Sequence, residues 1–288
     1  IMGLQEGKER AQYGKKLLED LSMMLTSKYG KGFSKRNLEI MRQFFNIFPI
    51  TNSLNSQLSW THYKELIKIK DRQERDFYMN ESINSNWDVR TLQRQRKSLL
   101  YERLLISSDK DKKELLPVKG QVIESPSDLI KDPYILEFLN MESTNYKEKD
   151  LEINIINHLK EFMLELGRGF MYVGNQVRIK IENEEFYVDL VFYNRILNCH
   201  VLIDLKVGKI THRDIGQMES YVNYYDKYIK KEKEKNTIGI ILGTTKNKVA
   251  VKLTTRDNSE IYASIYKLHL PSKEELENFM KSEKKKYE

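Results

Sequence analysis

The period of the hydrophobic pattern changes near residue 150, and this change constrains the fold more than any other feature of the chain. Up to about residue 106, apolar residues recur at helical spacing, as in NLEIMRQFFNIF at residues 37–48. After residue 150, a helical segment precedes three β-rich runs separated by ENEE and NRILN, and a second helix and a buried strand follow. This order predicts an α/β or α+β domain in which a meander of antiparallel strands belongs to a mixed sheet flanked by helices.

The composition of the 288 residues excludes several classes of protein. Five Pro and thirteen Gly rule out collagen-like and linker-dominated chains. The single cysteine, Cys199, cannot form an internal disulfide or a cysteine-based zinc site within one chain, so a cytoplasmic location fits best. Because Cys199 lies in a predicted strand, we expect burial rather than chemistry there. The apolar stretches are far shorter than the roughly 20 residues of a membrane span, so no membrane partner is predicted.

Charge is distributed unevenly along the chain. The net charge is +7, from 49 Lys and Arg against 42 Asp and Glu. Residues 150–226 carry −4, whereas the part before them carries +5 and the part after them carries +6. Such a pattern suits a protein that attracts a polyanion and also holds a divalent cation, although ordinary solubility explains the basic surplus equally well.

Two aspartates lie in the middle of neighbouring predicted strands. In FYVDLVFY, alternation places Val188 and Leu190 on one face and Asp189 on the other, and in VLIDLKV, Asp204 and Lys206 share the face opposite the apolar residues. A loop of hairpin length lets the strands bring the two aspartates together, where they repel unless one is protonated or a cation lies between them. Mg²⁺ suits this role because it takes oxygen ligands. A solvated surface pair is the alternative interpretation of Asp204 and Lys206.

The helices on either side of these strands add three candidates. Glu152 falls within the apolar stripe of the helix predicted over residues 151–166, where a lone charge is costly without a partner. The shared metal site is a candidate partner for it. Gln217 and Tyr221 lie at i and i+4 of the next helix, on a face that could bind a phosphate or pack on the sheet.

The amino-terminal half contains one basic helical face. Arg90, Arg94 and Lys97 lie at i, i+4 and i+7 of a predicted helix. Such a face could follow the phosphates of a nucleic acid, with an affinity that falls as salt rises. A solvated helical face is an equally good interpretation.

The spacing of the candidate residues resembles that of the PD-(D/E)XK nuclease superfamily, with fourteen residues between the two aspartates and Val188 where the superfamily often has Pro. The motif residues are Glu152, Asp189, Asp204, Leu205, Lys206, Gln217 and Tyr221. More closely, LELGRGFMYVGNQ, FYVDLVFYN, LIDLKVG and GQMESYVNYY are similar to the YhcG-type nuclease family. GFSKRNLEIMRQFF, LSWTHYKELI and NWDVRTLQRQRKSLLYERL are similar to the helical, winged-helix-like amino-terminal domain of that family. The resemblance covers nearly the whole chain.

The resemblance implies a restriction-endonuclease-like domain that hydrolyses phosphodiester bonds with a divalent metal, of DNA in preference to RNA, in DNA processing or in defence against foreign DNA. It also implies two domains: residues 1–140, a winged-helix-like domain for nucleic-acid binding or assembly, and residues 141–288, the nuclease domain. In these families Mg²⁺ or Mn²⁺ is the expected cofactor.

The resemblance further implies a role for each motif residue. Asp189, Asp204, the backbone carbonyl of Leu205 and Glu152 would ligate the metal. Lys206 would orient or activate the attacking water. The remaining two motif residues, Gln217 and Tyr221, would help to align the sugar-phosphate backbone.

Two other functions fit the sequence less well. One is a catalytically silent module that binds nucleic acid or assembles with partners on a nuclease scaffold, but a scaffold has no need of Asp189, Asp204 and Lys206 together. The other is a regulator that binds a specific DNA sequence through the basic helix and cleaves nothing. Cleavage of both strands of a duplex would need two active sites, which a homodimer could supply.

Overall fold

The computed structural model describes residues 2–48, 56–107, 110–141, 146–181, 183–246, 260–276 and 278, with side chains from residue 16 onward. The end of the basic carboxyl-terminal segment, residues 279–288, lies outside these ranges. The chain divides into two compact units, Ile1–Gln93 and Arg94–Glu288. This division precedes the domain limit predicted near residue 140, because residues such as Tyr134 already pair with the carboxyl-terminal sheet.

The regular secondary structure of the first unit, within residues 2–48 and 56–93, is all helical, and no strand that could form a wing occurs there. Its helices are α1 (Met2–Tyr29), α2 (Lys35–Ile47), α3 (Trp60–Leu66), α4 (Arg72–Asn84) and α5 (Val89–Lys97), the last of which ends in the second unit. Leu66, Phe77 and Tyr78 are fully buried and form the centre of its core.

The second unit combines helices with a sheet. Its helices are α6 (Leu100–Ser107), α7 (Lys110–Lys119), α8 (Glu148–Asn157), α9 (Leu159–Leu166) and α10 (His212–Tyr224), and α10 continues into a π-helical turn at Tyr225–Ile229. Its strands are β1 (Tyr134–Ile135), β2 (Phe170–Ile181), β3 (Glu184–Asn194), β4 (Cys199–Leu205), β5 (Lys209–Ile210), β6 (Ile238–Gly243), β7 (Thr245–Lys246) and β8 (Ile261–Lys267). None of the helices in the described ranges has the length and apolar composition that a bilayer crossing requires.

The central sheet has six strands in the order β1-β8-β6-β4-β3-β2. β2, β3 and β4 form the predicted antiparallel meander, and β4, β6, β8 and β1 run parallel to one another. The sheet is therefore mixed, as the order of helical and β-rich segments predicts. β5 and β7 form a separate two-stranded sheet.

Helices cover both faces of the central sheet. α8 and α9 bury apolar side chains such as Phe162 in one core, and α10 buries residues such as Met218 in the other. α10 approaches β6 closely because Gly239 has no side chain, and a Cβ there would lie 2.6 Å from Met218 Cγ. Cys199 is buried in the first core, as predicted, and burial raises the pKa of its thiol to about 12. The thiol is thus protonated at neutral pH.

Strand β3 departs from simple alternation at Asp189. Val188 lies in the core under α10, whereas Leu190 lies in the core under α8 and α9, so the prediction that both share one face is wrong. By register, Asp189 faces Gln176 of β2, whose φ of +47° lies in the left-handed region. The meander is therefore irregular at the position of a candidate catalytic residue.

The helix predicted over residues 151–166 is two helices. The break lies at His158, whose φ of −117° and ψ of 34° are not helical and whose ring Nδ1 lies 3.0 Å from the carbonyl of Asn154. Gly167 ends α9, as predicted, with a φ of +109°. The break changes the direction of the helical face, so residues of α8 and α9 do not share one continuous stripe.

Candidate active site

The register of β3 and β4 sets Asp189 and Asp204 side by side. Leu190 pairs with Ile203, so the next pair along the two strands is Asp189 with Asp204. The backbone N–H of Leu205 donates to Asp189 Oδ2 at 2.8 Å. The carboxylate of Asp189 is thereby held against the end of β4, next to the backbone of Leu205.

Asp204 is a buried carboxyl group in an acidic environment. It is 3% exposed, and its Oδ2 lies 2.8 Å from Lys206 Nζ. No donor in the described part of the chain reaches this oxygen at a hydrogen-bonding angle. Burial raises the pKa of Asp204 and Asp189 raises it further, while Lys206 lowers it, and the net effect is a pKa well above the usual range. A positive charge beside this pair would relieve that cost.

Lys206 is held as a cation in this arrangement. Burial lowers its pKa, but Asp204, Glu148 and Asp189 raise it by more, so the pKa lies above the usual value. The ammonium group can therefore donate hydrogen bonds at neutral pH, and it has no lone pair with which to take a proton.

Glu152 is connected to Asp189 through an amide. Gln176 Nε2 donates to Glu152 Oε2 at 2.9 Å and to Asp189 Oδ1 at 3.0 Å. Asn175 Nδ2 donates to Glu152 Oε1 at 3.2 Å. The acidic cleft formed here has a volume of about 570 Å³, and its lining residues are Glu148, Lys149, Glu152, Ile153, Asn175, Gln176 and Asp189. Glu152 thus lies in the same cleft as Asp189, one amide away from it.

Sequence reasoning missed Glu148, Asn175 and Gln176. Glu148 Oε1 accepts a hydrogen bond of 3.2 Å from the backbone N–H of Val207, next to Lys206. Its signal was available, because Glu148 lies four residues before Glu152 and so shares a helical face with it. Asn175 and Gln176 end the family-like segment LELGRGFMYVGNQ, but strand alternation gave no sign of their role, since only the backbone irregularity of β2 turns the Gln176 amide between two carboxylates.

Gln217 and Tyr221 are close together on α10, and the amide of Gln217 is hydrogen-bonded to the hydroxyl of Tyr221. Gln217 Nε2 donates to Tyr221 Oη, which donates to the backbone carbonyl of Tyr187 at 3.3 Å. Tyr221 is 1% exposed and packs in the core under α10. Burial raises its pKa, Gln217 lowers it, and Asp204 and Asp189 raise it, so the phenol stays protonated. The structure shows packing on the sheet, one of the two interpretations of this face.

The basic face of α5 does not act as a unit. Arg90 and Lys97 are exposed, but the guanidinium of Arg94 donates to Glu137 at 3.0 Å and to Glu165 at 3.3 Å. Burial lowers the pKa of Arg94, and the two glutamates raise it by more. Arg94 is therefore committed to internal ion pairs and takes no part in a phosphate-binding surface in this arrangement.

A divalent cation fits the chemistry of the acidic pair. Asp189 and Asp204 offer carboxylate oxygens, the ligands that Mg²⁺ and Mn²⁺ prefer, and Asp204 Oδ2 is buried beside the Lys206 ammonium. Within the described ranges, no three His, Cys, Asp or Glu side chains are arranged to enclose a metal. The remaining positions would therefore fall to backbone oxygen, water and phosphate, which is how Mg²⁺ is commonly bound.

Comparison with known proteins matches both parts of the chain. The YhcG PDDEXK nuclease domain matches residues 127–281, and the DUF1016 N-terminal domain matches residues 1–103. The Escherichia coli (strain K12) protein named "Putative nuclease YhcG" is 35% identical over 308 residues, which cover 94% of this chain and 81% of that protein. The mixed sheet and the D-x-K strand end thus define a protein with a PD-(D/E)XK nuclease domain. The chain belongs to the YhcG family of nucleases.

Two solved structures are more distantly similar. A "repair endonuclease from Pyrococcus abyssi" is matched with a TM-score of 0.31 and 22% identity over 44% of this chain and 50% of that chain. The "EndoMS-dsDNA2 complex" is matched with a TM-score of 0.31 and 17% identity over 46% of this chain and 49% of that chain. The matched parts span about half of each solved chain, and the family assignment does not depend on them.

Proposed function

We propose that this protein hydrolyses phosphodiester bonds of nucleic acid, DNA in preference to RNA, with Mg²⁺ or Mn²⁺ as cofactor. The observation that carries the proposal is the apposition of Asp189 and Asp204 at the end of β4, beside the Lys206 ammonium. Family membership supports the reaction class. The lone cysteine, buried and protonated, is in keeping with the reducing cytoplasm that we propose as its location.

The acidic pair would bind the cation. Asp189 is oriented by the Leu205 N–H and the Gln176 amide, and Asp204 presents a buried carboxyl group beside Lys206. The Leu205 carbonyl and, across the cleft, Glu152 would complete the protein ligands. When bound, the cation would polarise the scissile phosphate and stabilise charge on the leaving oxygen.

Lys206 would orient the nucleophile. Because its ammonium is held as a cation by Asp204, Glu148 and Asp189, it can donate to the attacking water or to a phosphate oxygen. Its position two residues after Asp204 places both groups at one strand end. A proton from the water would have to pass to another acceptor, since Lys206 is already protonated.

Residues outside the cleft would contribute to substrate binding in two different ways. We propose that Gln217 and Tyr221 align the sugar-phosphate backbone indirectly, by fixing α10 against β3 through the Tyr187 carbonyl. We propose that the exposed side chains Arg90 and Lys97 contribute salt-sensitive contacts to phosphates. We propose that the helical amino-terminal unit binds nucleic acid or assembles with a partner, and that the unit containing the central sheet is the nuclease.

The direct test is a cleavage assay on plasmid, linear duplex, single-stranded and branched DNA and on RNA, with and without Mg²⁺ or Mn²⁺. We expect cleavage only with metal, and Asp189→Asn should lower the rate roughly a thousandfold, since each 1.4 kcal/mol of lost stabilisation is tenfold. Metal-independent cleavage, or full activity of Asp189→Asn, would contradict the proposal. Linear product from plasmid without a nicked intermediate would indicate paired sites, as in a homodimer.

Gln176 provides a sharper test of the geometry. Gln176→Ala removes the donor shared by Glu152 and Asp189, so we expect cleavage to fall about 10- to 100-fold, as for other residues that orient metal ligands. The loss should be smaller at high metal concentration, because the metal can then offset poor alignment. Asn175→Ala is the matched control, since Asn175 donates to Glu152 only and should change the rate less. Equal effects of the two variants would show that Gln176 does not position Asp189.

A further inference from the structure

A second groove lies on the α10 face of the nuclease unit, away from the acidic cleft. Its volume is about 600 Å³, and its lining residues are Lys180, Ile181, Ser220, Asn223, Tyr224, Lys227, Tyr228 and Ile229. Two of these come from the end of β2, and the others come from α10 and the π-helical turn that follows it. We call it the tyrosine–lysine groove.

The charge of the tyrosine–lysine groove is opposite to that of the acidic cleft. Lys180 and Lys227 are exposed, and none of the described residues that line the groove is acidic. The acidic cleft, by contrast, is lined by Glu148, Glu152 and Asp189. A groove lined by two exposed lysines and by no acidic residue among those described is complementary to a polyanion rather than to a metal.

An exposed aromatic platform lies beside these cations. Tyr228 is 62% exposed, and its ring centroid lies 5.1 Å from that of Tyr224 at an angle of 51°. Lys227 Nζ lies 5.0 Å from the Tyr228 centroid. The π-helical turn carries Tyr228, and such turns are frequent at functional sites. Aromatic rings next to basic side chains are the usual means of binding single-stranded nucleic acid, because every base can stack on them.

The tyrosine–lysine groove and the acidic cleft both include residues of β2. Gln217, Tyr221 and Tyr224 follow one another at helical spacing along α10, and Tyr228 follows in the π-helical turn. On the sheet, Lys180 lies four residues beyond Gln176, or about 13 Å at ~3.3 Å per residue. This separation corresponds to a few nucleotides, so one strand could occupy both sites.

We propose that the tyrosine–lysine groove binds the unpaired nucleotides of a strand whose scissile phosphate lies at the acidic pair, with a base stacked on Tyr228 and phosphates at Lys180 and Lys227. This proposal rests on the proposed nuclease function, and it adds a preference for substrates that carry a single-stranded segment next to the cleaved bond.

Binding and cleavage test the proposal separately. The full-length protein is titrated in EDTA against a fluorescein-labelled 12-nucleotide oligothymidine and against a matched duplex. We expect tighter binding of the single strand, a loss of about tenfold for Tyr228→Ala, and near-normal affinity for Tyr228→Phe, which keeps the ring. The double variant Lys180→Ala, Lys227→Ala should weaken binding and flatten its salt dependence, because two phosphate contacts are lost.

Tyr29 provides the matched control. It is 61% exposed, and Lys28 Nζ lies 5.3 Å from its ring centroid, so it repeats the lysine–tyrosine pair outside the groove. Tyr29→Ala should leave single-strand affinity within about twofold. Unchanged affinity of Tyr228→Ala, an equal loss for Tyr29→Ala, or binding of the duplex alone would overturn the proposal. Binding of neither the single strand nor the duplex would also overturn it, and would favour a protein as the partner of this groove.

The cleavage assay distinguishes this proposal from the nuclease function. If Tyr228→Ala loses single-strand binding while the wild type cleaves no substrate with either metal, the groove stands and the nuclease function fails. If the wild type cleaves and Tyr228→Ala cleaves a branched substrate at the wild-type rate, the nuclease function stands and the groove proposal fails.

Discussion

Asp204→Asn is expected to abolish metal-dependent cleavage, with a fall of roughly a thousandfold or more, while the protein stays folded. The substitution keeps the shape of a side chain that is 3% exposed and removes its charge. Lys206→Ala should lower the rate in the same direction, because it removes the cation that lies 2.8 Å from Asp204 Oδ2. Initial rates on linear and branched DNA with Mg²⁺ and with Mn²⁺ measure both effects.

Thermal unfolding with and without metal separates loss of chemistry from loss of fold. The pKa of Asp204 is raised, so its charged form is unfavourable in the metal-free protein, and Asp204→Asn should unfold at or above the wild-type temperature there. Added Mn²⁺ should stabilise the wild type, because a ligand that binds only the folded state shifts the equilibrium, and it should leave the variant unchanged. Glu185→Gln, an exposed acid on the same strand as Asp189, is the control and should behave like the wild type. If each of the single variants Asp204→Asn and Lys206→Ala cleaved at the wild-type rate, the proposed active site would be refuted.

Glu165→Ala is expected to cost about 3–5 kcal/mol of unfolding free energy, the largest stability effect in the nuclease unit. The side chains of Glu165 and Arg103 are both fully buried, and two of the three guanidinium nitrogens of Arg103, Nη1 and Nη2, donate to the two carboxylate oxygens. Glu165 also accepts from Arg94 at 3.3 Å and from the backbone N–H of Ile135 at 3.0 Å. Removing this carboxylate leaves Arg103 charged and buried without its partner. Urea unfolding at neutral pH measures the change.

The control for Glu165 is an ion pair of the same chemistry on the surface. Arg178 and Glu185 have side chains that are 59% and 45% exposed, so Glu185→Ala should cost less than about 1 kcal/mol. The double variant Glu165→Leu, Arg103→Met should recover most of the loss, because apolar side chains of similar size can replace a buried pair. If Glu165→Ala and Glu185→Ala cost the same, the buried cluster does not stabilise the fold.

The buried ion pairs of Glu165 should also make the stability of the protein depend on pH in the acid range. Burial alone would raise the pKa of Glu165, but Arg103, Lys131 and Arg94 more than offset this and lower it to about 2. Because the folded pKa lies below the unfolded value of roughly 4.3, the stabilisation is complete above pH ~5 and is lost as the pH falls toward 2. Glu165→Gln should lack this component, so its stability should fall less steeply over that interval. A wild-type slope in this variant would contradict the lowered pKa.

Much of the fold follows from the local period of the side chains. The meander of β2, β3 and β4, the helix end at Gly167 and the burial of Cys199 were all predictable, because each depends on residues close together in sequence. The apposition of Asp189 and Asp204 also belongs to this group, since a hairpin of known length sets its register. The motif formed by Asp189, Asp204 and Lys206, together with the segments that flank it, also indicates the nuclease family from sequence alone.

Two charged side chains show where local reasoning stops. A helical projection places Arg94 with Arg90 and Lys97, but it says nothing of what packs against that side of the helix. In the structure, Arg94 donates a hydrogen bond to Glu165, which lies 71 positions further along the chain. The same projection selects Glu152 as the charge on the core-facing stripe, whereas Glu165 is the fully buried acid, because the helix breaks at His158 and its faces turn.

The sequence by itself determines the two kinds of secondary structure, the mixed sheet and the pairing of two strand aspartates near a lysine, whereas the structure places Asp204 at the end of β4 and not in the middle of its strand. Only the tertiary structure decides that the Gln176 amide spans Glu152 and Asp189, that Arg94 is internal, and that Tyr228 stands exposed beside Lys180 and Lys227. The reason is physical. Periodicity reports which side chains share a face, whereas solvation, ion pairing and pKa depend on the groups that approach that face from distant parts of the chain.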